Sequence, residues 1–118
     1  MRIYLSGPIT NMGTIYVTKS FNYWRDIVQY KYPDAEILSP LENGLPINAS
    51  RAEHMIADIQ MIMKCDHIFF LPGFDLSKGC ICELICASEF GLTAERADGL
   101  PIKVPKILLN YLSHTIPW

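Results

Sequence analysis

The feature that most constrains the fold is a run of five residues near the middle of the chain, His67 to Leu71 (HIFFL), which is followed at once by Pro72-Gly73. The run does not alternate between apolar and polar residues, as a half-exposed strand would. A strand without this alternation is typical of a parallel sheet that is covered on both faces. Proline and glycine then end the strand. We therefore predict a buried strand over 67–71 in an α/β fold.

Short β-leaning stretches and helical patterns alternate along the rest of the chain. Residues 1–6 lean towards β and end at a Gly-Pro pair, and residues 35–39 form a second predicted strand that ends at Pro40. Residues 40–49 contain two prolines, a glycine and two asparagines. This composition predicts a loop.

Three helices are predicted beside these strands. The first covers 17–31, the second follows a Ser50 cap with Glu53 as its capping-box partner, and the third runs from a Ser77 cap to Gly91. Apolar residues at helical spacing are expected to face the core. They are Val17, Phe21, Trp24, Ile27, Val28 and Tyr32 for the first helix, and Ala52, Met55, Ile56, Ile59 and Met63 for the second.

The order β-α-β-α-β-α is extended by a candidate strand over 92–97 and a candidate terminal helix over 103–114. Connections of crossover length imply a mainly parallel sheet with helices on both faces. At 118 residues the chain suits one domain, because two halves would each be too small to build a good core. We therefore predict a single α/β domain over 1–118.

Charge and hydropathy exclude several classes of function. The net charge of −2 provides no basic surface for DNA or RNA, so a small ligand is expected rather than a nucleic acid polymer. The apolar stretch at the N-terminus is too short for a signal peptide, and no later run is long enough to cross a bilayer. A cytoplasmic protein without a membrane partner is predicted.

The four cysteines, Cys65, Cys80, Cys82 and Cys86, do not form a metal-binding pattern. On a helix, residues 80 and 82 lie about 200° apart, while Cys82 and Cys86 share a face but supply only two ligands. Buried, reduced thiols and no metal are predicted. No cofactor is predicted either, because no loop matches the fingerprints of ATP or NAD proteins.

Two loops at the predicted carboxyl ends of the strands form the candidate ligand site. Beyond the second loop, Gly79 and Glu83 lie one turn apart on one helix face, and a side chain at 79 would cover the approach to Glu83. Free N–H groups at this helix N-terminus favour anions or hydroxyls. The alternative is that Gly79 eases packing and Glu83 is solvated. The predicted ligand-binding residues are Ser6, Gly7, Pro8, Ile9 and Thr10 in the first loop, and Gly73, Asp75, Ser77, Lys78 and Gly79 in the second.

Two further residues leave alternatives open. Asp58 lies in the middle of a predicted helix, and a surface pair with His54, one turn earlier, is slightly favoured over a functional role. Tyr4 stands beside the first Gly-Pro loop, where it either belongs to the core or stacks on a ligand.

The run Ile3 to Thr10 (IYLSGPIT) resembles the opening of the nucleoside 2-deoxyribosyltransferase-like family, and in particular its short, often phage-encoded branch. The resemblance covers roughly residues 1–92. The other similar stretches are residues 54–59 (HMIADI), 65–68 (CDHI) and 71–79 (LPGFDLSKG), followed by Glu83 and by residues 87–91 (ASEFG).

This resemblance implies a flavodoxin-like or Rossmann-like three-layer sandwich and cleavage of the N-glycosidic bond of a nucleoside or nucleoside 5′-monophosphate. Glu83 falls on the position of the nucleophile, which forms a covalent glycosyl-enzyme that water or a second base resolves. Asp58 falls on a second carboxylate that helps to protonate the departing base or to handle water. Tyr4 completes the set of candidate catalytic residues.

The resemblance also bears on phosphate. Ser77 matches a position where the monophosphate hydrolases carry serine and the transferases carry aspartate. Thr10 stands where the hydrolases carry arginine, so Lys78 or Lys19 is the alternative source of positive charge. The other function left open is a non-catalytic nucleotide-binding module that senses or sequesters its ligand.

A homodimer or higher homo-oligomer is expected, because a short chain has few elements to enclose a pocket and the family resemblance implies a neighbouring subunit at the site. The candidate contact residues are Tyr16, Tyr23 and Trp118.

Overall fold

The computed structural model describes residues 1–102 and contains a four-stranded parallel sheet with helices packed on both faces. The elements alternate along this part of the chain. They are β1 (Arg2–Ser6), α1 (Thr14–Lys31), β2 (Glu36–Leu38), α2 (Arg51–Ile62), β3 (His67–Phe70), α3 (Lys78–Glu89) and β4 (Thr93–Arg96), with short 3₁₀ turns at Pro40–Glu42 and Phe74–Leu76.

The strand order β2-β1-β3-β4 locates the binding edge of the sheet. Tyr4 in β1 lies opposite Leu38 in β2 and Ile68 in β3, so β1 and β3 are central neighbours. The chain leaves β1 towards β2 and later returns past β1 to form β3. This reversal creates a crevice at the carboxyl ends of β1 and β3, where doubly wound sheets bind their ligands.

The period-two alternation of the strands divides the core between the two faces. One face packs against α1 through a cluster that includes Ile3, Leu5 and Phe69. The opposite face packs against α2 and α3 through Tyr4 and Phe70, among others. The predicted three-layer α/β sandwich with a small parallel sheet is therefore confirmed.

Local signals place several helix ends correctly. The Ser50 side chain accepts from Glu53 N and the Glu53 side chain accepts from Ser50 N, which confirms the capping box. Ser77 caps α3 by accepting from Cys80 N. Gly91 has a φ of +80°, as expected of the glycine that follows a helix.

The predicted start of α1 is wrong by three residues, because the helix begins at Thr14 rather than at residue 17. Its first turn is exposed, so the apolar pattern begins only at Val17. The predicted core stripe of α2 is also partly wrong. The buried residues of α2 are Asp58 and Ile62, whereas Ala52, Ile56 and Met63 are exposed. The apolar pattern of the sequence does not reveal the buried face of α2, because the carboxylate of Asp58 lies on that face.

The cysteines differ in burial, which corrects the prediction of four buried thiols. Cys65 and Cys80 are buried, Cys86 is half-buried, and Cys82 is exposed because it lies on the solvent face of α3. All four are free.

The candidate fourth strand is confirmed as β4, which pairs in parallel with β3. The candidate helix over 103–114 and the candidate contact residue Trp118 lie outside the described residues. Tyr16 and Tyr23 are both exposed on α1, and the homo-oligomer stays a prediction. The single domain over 1–118 also stays a prediction. Across residues 1–102, no helix has the length and apolar character to cross a membrane.

Candidate functional site

A cleft of about 510 Å³ opens at the carboxyl end of β1, between α1, α2 and the start of α3. The loop after β1 forms its floor, and the segment 40–49 forms one wall. Glu83 and Asp58, the two predicted catalytic carboxyls, both line it. The cleft therefore lies at the crevice that the strand order creates.

Glu83 is held from below by two hydroxyls of β1. The Tyr4 hydroxyl donates to Glu83 Oε2 at 2.5 Å, and the Ser6 hydroxyl donates to Glu83 Oε1 at 2.8 Å. Residues 4 and 6 share a face of β1 because strand side chains alternate, and that face is covered by α3. Both carboxylate oxygens are thus oriented by side chains that are fully buried, while Glu83 itself is only 5% exposed.

The environment of Glu83 favours its protonated form. Burial raises the pKa of the Glu83 carboxyl from 4.5 to about 7, against the opposing effect of the hydrogen bonds from Tyr4 and Ser6. The nearby Asp58 charge adds to the rise. Burial also raises the pKa of Tyr4 well above its ordinary value, so its phenol remains a donor. A carboxyl that titrates near neutrality in an open cleft is suited to catalysis.

Cys80, which lies three residues before Glu83 on α3, also lines the cleft. Burial raises the pKa of its thiol to about 11. The thiolate, which is the reactive form, is therefore scarce at neutral pH.

Asp58 does not form the surface pair with His54 that the spacing slightly favours. It is 9% exposed, and its Oδ1 accepts from Asn43 Nδ2 at 2.9 Å. Burial raises the pKa of Asp58, while the Asn43 hydrogen bond and the nearby His54 lower it. The same Asn43 Nδ2 also lies 2.9 Å from His54 Nδ1, so the Asn43 amide lies between Asp58 and His54.

Three glycines of the predicted site have different surroundings. A Cβ on Gly79 would lie 3.6 Å from Met55 Cε, an ordinary contact, so this position is open. A Cβ on Gly7 would lie 3.0 Å from two side-chain atoms of Leu71, so Leu71 would have to shift by a few tenths of an ångström to accommodate it. Gly73 has a φ of +84°, which favours glycine.

We expect Gly79→Leu to weaken binding of the ligand that the sequence resemblance predicts, a nucleoside or its 5′-monophosphate, by at least about tenfold. The domain should stay folded, because the added side chain enters the cleft beside Glu83. Gly79→Ala is the matched control and should bind normally, since its Cβ makes only ordinary contacts. Calorimetric titration measures binding, and urea unfolding measures stability. Normal binding by the leucine variant with reduced stability would assign Gly79 to packing alone.

The structure brings together only part of the predicted set. Tyr4 and Ser6 lie beneath Glu83 and have no exposed surface, so they contact the carboxylate and cannot stack on or bind a ligand directly. The second predicted loop borders a separate shallow groove, which Gly73 and Asp75 line. Predicted residues that line the cleft are Gly7, Ile9, Thr10, Asp58, Ser77, Gly79 and Glu83, and those that do not are Pro8, Gly73, Asp75 and Lys78.

Sequence reasoning missed several residues of the cleft. Arg51 adds a cation at the N-terminus of α2, and Thr14 and Thr18 add hydroxyls from the first turns of α1. Asn43 comes from a segment whose composition predicts only a loop. The capping box at Ser50 could have pointed to Arg51, because it marks a helix N-terminus, where free N–H groups favour anions, and Arg51 is the first residue of that helix. No local signal identifies Asn43.

The described residues contain no group of three or more histidine, cysteine, aspartate or glutamate side chains that could hold a metal ion.

Comparisons with known proteins place the chain among α/β proteins of this type. A family model described as "Domain of unknown function (DUF4406)" matches residues 1–95. Among curated proteins, none matches the chain significantly.

Two solved structures resemble the fold. The CMP N-glycosidase BcmB of Clostridium botulinum matches with a TM-score of 0.54 and 18% identity, over 81% of this chain and 70% of that one. A 2-desoxiribosyltransferase from Leishmania mexicana matches with a TM-score of 0.55 and 24% identity, over 80% of this chain and 62% of that one. At these identities the likeness shows the fold alone.

Proposed function

Since the chain belongs to the DUF4406 family, whose description names no activity, we propose a function from the geometry of its cleft. The protein cleaves the N-glycosidic bond of a nucleoside or nucleoside 5′-monophosphate, by hydrolysis or by base exchange. Glu83 is the nucleophile. Asp58 donates the proton that the departing base requires.

The observation that carries this proposal is the setting of Glu83. Its carboxylate is buried, is oriented at both oxygens by Tyr4 and Ser6, and borders an open cleft that also contains a second carboxyl. Two carboxyls beside one cleft are the arrangement that glycosidic bond cleavage uses, one as nucleophile and one for proton transfer. A solvated surface glutamate would have neither the hydroxyl partners nor the raised pKa.

The reaction follows from these two groups. The Glu83 carboxylate attacks C1′, a C1′–O bond forms, the C1′–N bond breaks, and its electron pair leaves with the base, which takes a proton from Asp58. Water then attacks C1′, gives its proton to Asp58 and releases the Glu83 carboxylate. A second base in place of water gives exchange. The reactive form has Glu83 ionised and the proton on Asp58, and burial raises the pKa of both carboxyls.

The structural neighbours support this choice of reaction. One is a CMP N-glycosidase and the other a 2-desoxiribosyltransferase, and both names describe enzymes that act at the bond between a sugar and a base. The chain spans 70% and 62% of their lengths. The proposal for this chain rests on its own carboxyls.

The direct test is to measure free base released from a panel of nucleosides and nucleoside 5′-monophosphates, with and without a second base as acceptor. Release in water alone supports hydrolysis, and release that depends on the acceptor supports exchange. Saturable binding without release from any member would instead favour a nucleotide-binding module.

We expect a 5′-monophosphate to bind at least about tenfold more tightly than its nucleoside, which corresponds to about 1.4 kcal/mol. Ser77 is neutral, lines the cleft, and begins a helix whose first N–H groups favour negative charge. Arg51 supplies a cation in the same cleft, whereas Lys78 does not line it. Ser77→Asp should reverse the preference, because aspartate still caps the helix but repels phosphate.

Titrations of one nucleoside and its monophosphate at fixed salt measure this preference. Ser88→Asp, which adds the same charge on the exposed side of α3 outside the cleft, is the matched control and should keep the wild-type order. Arg51→Gln should reduce the preference, and Lys78→Gln should not. A wild-type protein that prefers the unphosphorylated nucleoside would remove phosphate from the proposal and leave nucleosides as the substrates.

A further inference from the structure

One asparagine connects the loop wall of the cleft to two titratable side chains of α2. Asn43 Nδ2 lies 2.9 Å from Asp58 Oδ1 and 2.9 Å from His54 Nδ1, and Asn43 Oδ1 accepts from Leu45 N at 3.1 Å. All three of these side chains line the cleft. The 3₁₀ turn that precedes Asn43 is tied to α1 by an ion pair between Arg25 and Glu42.

The chemistry of the amide determines which atoms donate and which accept. Because the Leu45 N–H must donate, the atom that receives it is the Asn43 oxygen, and the amide nitrogen therefore faces Asp58 and His54. An amide nitrogen has two protons to donate and cannot accept. Each of its two neighbours must consequently offer a lone pair.

These requirements assign protons in the site. His54 accepts at Nδ1, so the neutral imidazole carries its proton on Nε2. Asp58 accepts at Oδ1, so a proton on this carboxyl can reside only on Oδ2. Within residues 1–102 neither His54 Nε2 nor Asp58 Oδ2 has another hydrogen-bond partner, and both remain available to a ligand.

We propose that Asn43 is a positioning residue that presents Asp58 Oδ2 as the proton-donating oxygen and His54 Nε2–H as an adjacent hydrogen-bond donor to the leaving base. The inference rests on the proposed function for its catalytic part, and it names a substrate requirement. The base must offer an acceptor, a carbonyl oxygen or a ring nitrogen, on the edge that faces α2. The other titratable groups near Asp58 are Glu83 and Tyr4.

The first test needs no activity. Long-range ¹⁵N–¹H spectra at about pH 8.5, where a neutral imidazole predominates, report which ring nitrogen carries the proton. We expect the Nε2–H tautomer of His54 in the wild type, a mixture in Asn43→Ala, and protonated Nδ1 in Asn43→Asp, where a carboxylate oxygen replaces the donor. His67 is an internal control, because its ring contacts Thr93 and Glu95 and should not change.

The second test separates proton delivery from general damage. It compares the cleaved nucleoside with the same nucleoside methylated on a basic ring nitrogen, which makes the base cationic. Such a base departs as a neutral molecule when it takes the C1′–N electron pair, and it needs no proton. Asn43→Ala should lose about 10²-fold in kcat on the ordinary substrate and less than about threefold on the methylated one. Asn48→Ala is a matched change at an exposed position of the same loop, and its kcat should equal that of the wild type on both substrates.

An Nδ1–H tautomer of His54 in the wild type, or equal losses on both substrates, would overturn the assignment of Asn43. Absence of base release by the wild type would overturn the proposed function and the proton transfer with it. The His54 tautomer would still decide whether Asn43 orients the site.

Discussion

Glu83→Gln is expected to lower base release by at least about 10³-fold while the fold is retained. Glutamine matches glutamate in size and can still bond to the hydroxyls of Tyr4 and Ser6, but its amide cannot form the glycosyl ester. The effect should appear in kcat, because the shape of the cleft is unchanged. Single-turnover measurements of free base at about pH 7, close to the pKa of the wild-type Glu83 carboxyl, give the comparison.

Glu89→Gln is the matched control, since this residue lies on the same helix and is exposed. It should keep wild-type activity. Trapping of a covalent glycosyl adduct on residue 83 of the wild type, and its absence in the glutamine variant, would be the mass-spectrometric counterpart. Appreciable turnover by a well-folded Glu83→Gln protein would remove Glu83 from the mechanism.

The second large effect concerns stability and pH. The folded protein raises the pKa of Glu83 from 4.5 to about 7, so between these values the folded state binds more protons than the unfolded state. The contribution of Glu83 to the free energy of unfolding should therefore be highest below about pH 4.5, fall as pH rises to about 7, and level off above it. The pKa change corresponds to a loss of about 3 kcal/mol attributable to this group.

Glu83→Gln should abolish this part of the pH dependence because glutamine does not titrate. Urea unfolding at several pH values measures the free energy of unfolding of both proteins. The free energy of the variant, relative to that of the wild type, should rise by about 3 kcal/mol between pH 4.5 and 8. Glu89→Gln should follow the wild-type curve. A constant difference between wild type and Glu83→Gln across this range would mean that the folded protein does not raise the pKa of Glu83.

The two predictions address different properties of one carboxyl. A buried charge that destabilises the folded protein at neutral pH is understandable if the charge is needed for chemistry. Loss of activity together with a gain in stability at pH 8 would be the combination expected of a catalytic nucleophile. Loss of both would indicate a structural role for Glu83.

Local sequence signals determined the element order and much of the fold. The unalternating strand that became β3, the capping box at Ser50 and the glycine at Gly91 each depend on interactions within a few residues, so a single sequence suffices to recognise them. Where prediction failed, at the start of α1 and along the core face of α2, the apolar pattern carried no information. The first turn of α1 is exposed, and α2 buries Asp58.

The sequence by itself also determined that Gly79 and Glu83 lie on one helix face, because residues one turn apart share a face whatever surrounds the helix. Only the tertiary structure decided what that face meets. Tyr4 and Ser6 come under Glu83 because β1 lies beneath α3, and Asn43 joins His54 to Asp58 because segment 40–49 folds against α2. These partners are separated by 79, 77 and 15 residues along the chain. Contacts at such separations arise from sheet order and loop packing, which no local pattern encodes.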